Sequence, residues 1–573
     1  MSLKEKISHS FNKVSQSIWR FPLSYLFLLF ATISNAIYLE NSETISERWL
    51  ICFMAGTLLA TVGQMLFERF FAAQKNRRYL LMGLALIATA VFAFLFAPIP
   101  IESLRFSVKT AVIVFALILA FIWIPTIQNA QFSFHQSLLA FIKNFFTALL
   151  FGVILSLGLL LIHIAISTLL FELDYQLVTH TLNIIWCFVV PLYCIALTPS
   201  PDGQQAITVP RFLEVLLKYI IIPITLIYTS ILIVYLLINI SGSFWTNNLL
   251  EPLLVSYAII SFIIYLLSFN LQPNKYISLY QQWFPKVMVP IVLFQTLASI
   301  LRIETNGLTI GRYFVILFGV FATVAAVIFS LNKEKMHWWS IALLLVMAVI
   351  SITPPLDAFT MSLNNHEKQL VRLLEKNQMW DGNQITPHAQ LDEADAIAIT
   401  KLALHLDEND YQTDLLGDNF NFYADFEETF GFEPTYFNSN RRTNVVKSVN
   451  WNWDQYPTID IEGFDHFMVL NWYDYIDPIE IEDEKGAFTL ESYVNEDKYI
   501  VINLTNEAGE EILQFDSQEL FEQALEGAEE GLTPEQGIMT VANEALEMKI
   551  VAVYLRSTSS AYSGNVYILL NFK

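Results

Sequence analysis

The sequence contains, at residues 151–170, the run FGVILSLGLLLIHIAISTLL, in which the only ionisable side chain is His163. An α-helix rises about 1.5 Å per residue, so about 20 apolar residues cross a bilayer core about 30 Å thick. Backbone polar groups in lipid must be satisfied within the segment, which predicts a transmembrane helix here. Comparable runs recur up to residue 355, and we predict about eleven spans, at 21–39, 49–71, 79–97, 107–124, 141–170, 179–198, 214–239, 252–270, 286–301, 312–331 and 338–354.

The charged residues divide the chain in two near Pro354-Pro355. Residues 356–573 hold 41 of the 54 acidic and 12 of the 32 basic side chains, a net charge of −29, which leaves +7 for residues 1–355. We predict a basic amphipathic segment at 1–20, a transmembrane helical domain at 21–355 and an acidic soluble domain at 356–573. A domain this acidic repels phosphate, so nucleic acid is excluded as a partner.

Lysine and arginine precede the first predicted span and recur in or beside the loops after the second, sixth, eighth and tenth spans. They are Lys4, Lys6, Lys13, Arg20, Lys75, Arg77, Arg78, Arg211, Lys218, Lys275, Lys286, Lys333 and Lys335. Loops rich in these residues stay in the cytoplasm, which predicts a cytoplasmic N-terminus. An odd number of spans then puts the acidic domain on the other side. We therefore predict a multi-pass protein of the bacterial inner membrane with an extracytoplasmic C-terminal domain.

The acidic region changes its hydrophobic period near residue 435. Residues 357–430 carry apolar side chains at helical spacing. Residues 435–573 contain segments that alternate with period two, as in 459–462 and 479–482. We therefore predict a polytopic α-helical membrane bundle followed by a soluble α+β domain with a mostly antiparallel sheet, helical at 357–430 and β-rich at 435–573.

Three stretches of the sequence carry a family resemblance: RFPL at 20–23, RIETNGLTIGRY at 302–313 and AFTMSL at 358–363. They resemble, in turn, the first-span opening, the most recognisable motif and the junction segment of the DUF4153 family of uncharacterised bacterial membrane proteins. The resemblance implies a multi-span bacterial membrane protein with a soluble C-terminal region. It implies no activity.

The best candidate ligand-binding residues are Arg302, Glu304 and Arg312, at a predicted non-cytoplasmic corner between two spans. Gly307 and Gly311 permit a tight turn there. Two arginines and one carboxylate leave one positive charge, and guanidinium groups suit an anionic lipid headgroup or solute. The alternative is an ion-paired corner that locks two helices together.

Other polar side chains lie inside or at the ends of the predicted spans. His163 lies mid-span and is the fourth ligand-binding candidate, because ionisable residues in membranes are functional candidates by default. A neutral imidazole bonded to a neighbouring helix is the alternative. Asn183 and Gln295 are predicted to form interhelical hydrogen bonds. Glu68, near a span end, is predicted to pair or to snorkel.

The sequence contains no P-loop, GxSxG, HExxH or zinc-ligand spacing. We therefore predict no catalytic residue, no metal and no cofactor, and an enzyme is the least favoured class. The favoured hypothesis is that the bundle anchors an acidic extracytoplasmic domain that senses or binds a component of the cell envelope. Its partners would be the lipid bilayer and an anionic lipid or envelope protein. The alternative is a transporter or lipid-handling protein with a polar site near His163 and the Arg302/Arg312 corner.

Overall fold

The computed structural model describes residues 14–41, 44–129, 132–171, 173–199, 209–239, 250–273, 275–303, 307–331, 337–382, 384–388, 391–408, 415–417, 420–435, 447–451, 458–472, 476–495, 499–525, 532–557 and 562–573. The backbone forms two compact units. The helical unit is Met1–Ala389 with Leu402–Phe432, and the β-rich unit is Gln390–Lys401 with Glu433–Lys573.

The helical unit begins with a series of apolar helices. They are α1 (14–20), α2 (Pro22–Asn41), α3 (Thr44–Leu66), α4 (Lys75–Phe96), α5 (Leu104–Trp123), α6 (Phe134–Leu169), α7 (Tyr175–Asn183), α8 (Val190–Ala196), α9 (Arg211–Leu216), α10 (Ile222–Asn239), α11 (Leu250–Ser268), α12 (Lys275–Leu301), α13 (Ile310–Ser330) and α14 (His337–Ile350). Wider π-helical turns extend α3 and join α7 to α8 and α9 to α10, at Phe67–Phe71, Ile184–Val189 and Leu217–Ile221.

Nine helices of the described ranges are long and apolar enough to cross a membrane by length and composition. They are Pro22–Asn41, Ile45–Phe71, Lys75–Phe96, Leu104–Thr126, Phe134–Leu169, Tyr175–Ala196, Arg211–Ile238, Lys275–Leu301 and Ile310–Ser330. Two shorter apolar helices, Leu253–Ser268 and His337–Ile350, coincide with the remaining predicted spans. The prediction of a polytopic helical bundle is confirmed, while the count of eleven spans stays a prediction.

Three helices follow the last apolar helix: α15 (Ala358–Lys376), α16 (Glu393–Glu408) and α17 (Phe422–Phe430). Asp357 caps the start of α15, because its Oδ1 atom accepts hydrogen bonds from the backbone N–H groups of Phe359 (3.1 Å) and Thr360 (3.2 Å). The buried face of α15 repeats every four residues, which gives the helix one continuous packing stripe. That stripe is Ala358, Ser362, His366, Leu370 and Leu374.

The β-rich unit contains antiparallel sheets, as predicted. Its strands are β1 (Lys447–Asn450), β2 (His466–Trp472), β3 (Ile476–Asp483), β4 (Gly486–Val494), β5 (Ile500–Asn506), β6 (Glu511–Asp516), β7 (Ile538–Ala542), β8 (Leu546–Ser557) and β9 (Tyr562–Phe572), with helices α18 (Gln518–Leu525) and α19 (Pro534–Gly537) after β6. One sheet has the order β1-β8-β9-β2, with β7 also paired to β8, and the other has the order β3-β4-β5-β6. Their inner faces share one apolar core.

Of the two segments of the acidic region with period-two alternation, one forms a strand and the other does not. Residues 479–482 lie in β3, as their pattern predicts. The strand predicted at 459–462 is wrong, because the chain turns there through Gly463 at φ +84°. Ile461 is left 56% exposed, so its apolar side chain marks no buried strand face.

Candidate functional site: the docked corner

The corner loop, residues 302–309, joins α12 to α13. Thr309 caps α13, since its hydroxyl oxygen accepts a hydrogen bond from the Arg312 backbone N–H at 3.3 Å. The Arg312 Nη1 atom donates to the carbonyl oxygen of Gly307 at 2.5 Å. Arg302 is buried at the other end of the loop, with 4% of its surface exposed. The side chains of both arginines therefore pack within the corner and do not extend away from it.

The corner loop is pinned against α15 on both of its sides. The Leu308 backbone N–H donates to the Asn365 side-chain oxygen at 2.8 Å. The Gln369 Nε2 atom donates to the carbonyl oxygen of Ile303 and to the Asn365 side-chain oxygen, each at 3.2 Å. Two neighbouring amides of one helix thus bind two backbone groups of the loop. We call the corner loop together with Asn365, His366 and Gln369 the docked corner.

Gly307 packs closely against α15. Its φ is +71°, a left-handed conformation that side chains disfavour. A Cβ atom placed on Gly307 would lie 2.5 Å from the Nε2 atom of His366. The His366 ring is only 2% exposed, and its Nδ1 atom lies 2.8 Å from the carbonyl oxygen of Ser362. A carbonyl only accepts, so this contact assigns the proton to Nδ1 and fixes the ring against the glycine.

Further contacts tie α15 to its neighbours in the helical unit. The His366 ring packs on the His405 ring of α16, with centroids 4.1 Å apart and planes inclined by 33°. The Tyr313 hydroxyl donates to the carbonyl oxygen of Leu356 at 2.5 Å. The Arg105 guanidinium lies 5.4 Å from the centroid of the Phe359 ring. The start of α15 is thus held by α5 and α13, and its middle by the corner loop and α16.

The four predicted ligand-binding residues do not form one site. Arg302 and Arg312 lie in the corner, where the hydrogen bond from Arg312 to Gly307 is the behaviour expected of the structural alternative. Glu304 lies outside the described residues. His163 lines a separate cavity of about 140 Å³ between α6 and α7, beside Thr181, and neither arginine lines that cavity. Ligand binding at the corner and at His163 stays a prediction.

The predicted pairing of Glu68 is confirmed, and its partner is the arginine before the first span. Arg20 and Glu68 form a two-pronged ion pair, with Nε to Oε1 at 2.7 Å and Nη2 to Oε2 at 2.6 Å. Gln64 donates to Oε1 at 2.8 Å, and Arg20 Nη1 donates to the carbonyl oxygen of Thr198 at 2.6 Å. The pair therefore joins α1, the π turn after α3 and the end of α8.

Asn183 and Gln295 differ, although both were predicted to bond between helices. Asn183 donates to the carbonyl oxygen of Thr32 at 3.0 Å and accepts from Asn35 at 2.8 Å, which confirms the prediction. Gln295 is 1% exposed, and neither polar atom of its side chain has a hydrogen-bond partner among the residues that the structure describes. The prediction for Gln295 is wrong.

A buried histidine pair is the polar feature that sequence reasoning missed. The Nε2 atom of His135 lies 3.1 Å from the Nδ1 atom of His337, and both residues are buried. The Phe269 ring stacks on His135 with centroids 4.5 Å apart, and Phe329 meets His337 at 4.7 Å. Only one of the two facing nitrogens can carry the proton of this hydrogen bond. The two histidines lie 202 positions apart, so no local pattern could have paired them.

The long apolar helices and the antiparallel sheets that follow them define a multi-pass membrane protein with a β-rich C-terminal unit. No group of three or more histidine, cysteine or acidic side chains that could hold a metal ion occurs in the part of the chain that the structure describes.

A family model described as a domain of unknown function, DUF4153, matches residues 24–367, and the chain belongs to that family. The match ends one residue after His366, so the corner loop and its contacts with Asn365 and His366 lie inside it. No curated protein and no solved structure matches the chain.

Proposed function

We propose that the protein is an envelope sensor of the bacterial inner membrane, in which the acidic C-terminal region is coupled to the transmembrane helices through the docked corner. The contact between Gly307 and His366 is the observation that carries this proposal, because it leaves no room for even one methyl group. Close-packed contacts transmit a displacement instead of absorbing it. A shift of α15 would therefore move the corner loop, and with it α12 and α13.

The two histidines on α15 and α16 support the second step of this coupling. His405 packs on His366, so α16 and α15 are in contact within the helical unit. Residues 393–401 of the same helix α16 group with the β-rich unit. We propose that α16 carries a change from the β-rich unit to His366. This path is a hypothesis about motion, and it requires a measured coupling.

Asn365→Leu is the variant that tests this coupling. It removes the acceptor for the Leu308 N–H group and for Gln369. A lost hydrogen bond costs about 0.5–1.5 kcal/mol, so we expect backbone amides of α15 and of 402–408 to exchange hydrogen up to about tenfold faster. Hydrogen–deuterium exchange of the purified full chain measures this. The matched control is Asn364→Leu, at an exposed neighbouring position, and should leave exchange unchanged. Faster exchange at 307–309 with no change at 402–408 would show that the corner does not communicate with α16.

The orientation of the chain is part of the same proposal. Eleven spans with a cytoplasmic N-terminus put the acidic region outside the cytoplasm, which envelope sensing requires. Single cysteines at Ser2, Asn332 and Lys573, in a chain whose own three cysteines are replaced, test this with a thiol reagent that does not cross the inner membrane. We expect labelling of whole cells at position 573 alone. Protection at 573, or labelling at position 2 or 332, contradicts the proposed side and with it sensing in the envelope.

Lipid handling is the second candidate, and the cavity at His163 is the observation that favours it. The cavity is lined mainly by leucine, isoleucine and valine, with His163 and Thr181 as its polar members. Its volume of about 140 Å³ is below the range of about 300–1,000 Å³ that is typical of ligand pockets, so it suits part of an acyl chain better than a hydrated solute. A phenotype of His163→Leu that leaves hydrogen exchange at α15 unchanged would favour this candidate over the sensor.

A further inference from the structure

A crevice of the helical unit lies between α10 and α12. Its volume is about 510 Å³, within the range of about 300–1,000 Å³ that is typical of ligand pockets. Thr229 and Ser230 contribute from α10, and Tyr276, Tyr280 and Trp283 from α12. The Tyr280 ring packs against Phe284 of the same wall, with centroids 4.7 Å apart. The crevice is therefore mainly apolar, with aromatic rings along one side.

The crevice is lined by two helices that are candidate membrane spans, Arg211–Ile238 and Lys275–Leu301. Leu279 and Trp283 at its edge are 55% and 56% exposed. The medium that meets such an edge in a membrane is lipid, and apolar surface of this kind is filled by hydrocarbon rather than by water. An acyl chain is thus the occupant whose chemistry and source both fit.

Lys286 places a positive charge beside the crevice. The Nζ atom of Lys286 lies 4.9 Å from the centroid of the Trp283 ring, whose face attracts a cation. Lys286 lies inside the candidate span Lys275–Leu301 and has no carboxylate within ion-pair distance among the described residues. An unpaired charge within a span is costly unless it reaches the interface or a counter-ion. A lipid phosphate beside the crevice supplies that counter-ion.

We propose that this crevice binds one acyl chain of an anionic phospholipid whose phosphate pairs with Lys286. The site involves no residue of the docked corner and holds whether or not the protein is a sensor.

The acyl-chain part of the site is tested by filling the crevice. The full chain is purified in detergent, titrated with phosphatidylglycerol and analysed by native mass spectrometry, and we expect one tightly retained lipid. Ser230→Trp puts an indole into the crevice and should weaken this binding at least tenfold. The matched control is Ile231→Trp, at the next position, 59% exposed and outside the crevice lining, which should bind as the original chain does. Equal binding by both variants, or no retained lipid in the original chain, overturns the proposal.

The charge part is tested at exposed positions, where folding is not at risk. We expect phosphatidylglycerol to bind about tenfold more tightly than phosphatidylcholine, and Lys286→Gln to abolish that preference. Lys275→Gln is the matched control. It removes the same charge from the first residue of the same helix, whereas the Trp283 ring of the crevice is contacted by Lys286. This variant should keep the preference. An unchanged preference in Lys286→Gln overturns the assignment of the phosphate to Lys286. A preference lost equally in both variants indicates general surface attraction and overturns it as well.

Discussion

Gly307→Val is expected to lower the free energy of unfolding of the helical unit by about 2–4 kcal/mol. Two costs combine at this position. A β-branched residue is strained at φ +71°, and the new Cβ would lie 2.5 Å from the Nε2 atom of His366. The imidazole cannot move away easily, because it is held by Ser362 and packed on His405. Thermal denaturation of the detergent-purified chain should show a clear fall in midpoint.

Gly311→Val is the matched control for this substitution. Gly311 lies two residues into α13, has no positive φ, and has no atom within 4 Å of the place where its Cβ would stand. Its expected effect is below about 0.5 kcal/mol, the range of ordinary surface substitutions. Similar midpoints for the two variants would mean that α15 yields at the corner without cost. The mechanical coupling proposed above would then have no basis.

Glu68→Gln is expected to destabilise the same unit by about 2–3 kcal/mol. Breaking a fully buried ion pair costs about 3–5 kcal/mol, and the side chains of Arg20 and Glu68 are 23% and 15% exposed, so water offsets part of that cost. The substitution removes the carboxylate charge that faces the Arg20 guanidinium, which keeps its hydrogen bonds to the carbonyl oxygens of Thr198 and Pro199. Denaturation of the purified chain measures the loss.

Two further variants separate pairing from the removal of a charge. Arg77→Met removes an exposed arginine whose guanidinium lies over the Phe71 ring, at 4.5 Å, and should change stability by less than about 1 kcal/mol. The double variant Arg20→Met with Glu68→Leu should be more stable than Glu68→Gln, because no charge is then left without its partner. The single variants Arg20→Met and Glu68→Leu complete the comparison: if their losses simply add in the double variant, the two residues do not interact energetically.

Hydropathy predicted the existence of the apolar helices better than the residues at which they begin. The span predicted at 286–301 belongs to α12, which starts at Lys275. The first turns of α12 carry Gln281 and Gln282, so their mean hydropathy is low, yet Ile277, Tyr280 and Phe284 are buried on one face. The hydropathy averaged over the end of an amphipathic helix is low, because polar and apolar residues alternate around the helix. The apolar stripe of that end is nevertheless packed against the protein.

The sequence predicted only the part of the candidate site that lies within the corner loop and the start of α13. The two arginines and Gly307 are close in sequence, so charge and turn chemistry indicated a tight corner between two helices. Asn365 and His366 come from another helix, and only the tertiary fold brings them to the loop. His135 and His337 meet for the same reason. Residue type alone also failed to predict pairing, since Asn183 finds partners across the helices and Gln295 finds none among the described residues.

The wider turns at Phe67–Phe71, Ile184–Val189 and Leu217–Ile221 bear on how chain length can vary in evolution. A π turn closes its hydrogen bond one residue later than an α turn, so it takes up one additional residue. Inserted into a regular helix, that residue would rotate everything after it by about 100° and turn the buried stripe towards lipid. At these turns the insertion is absorbed locally. Removing one residue at such a turn would restore a regular α-helix and keep the same helix neighbours on either side.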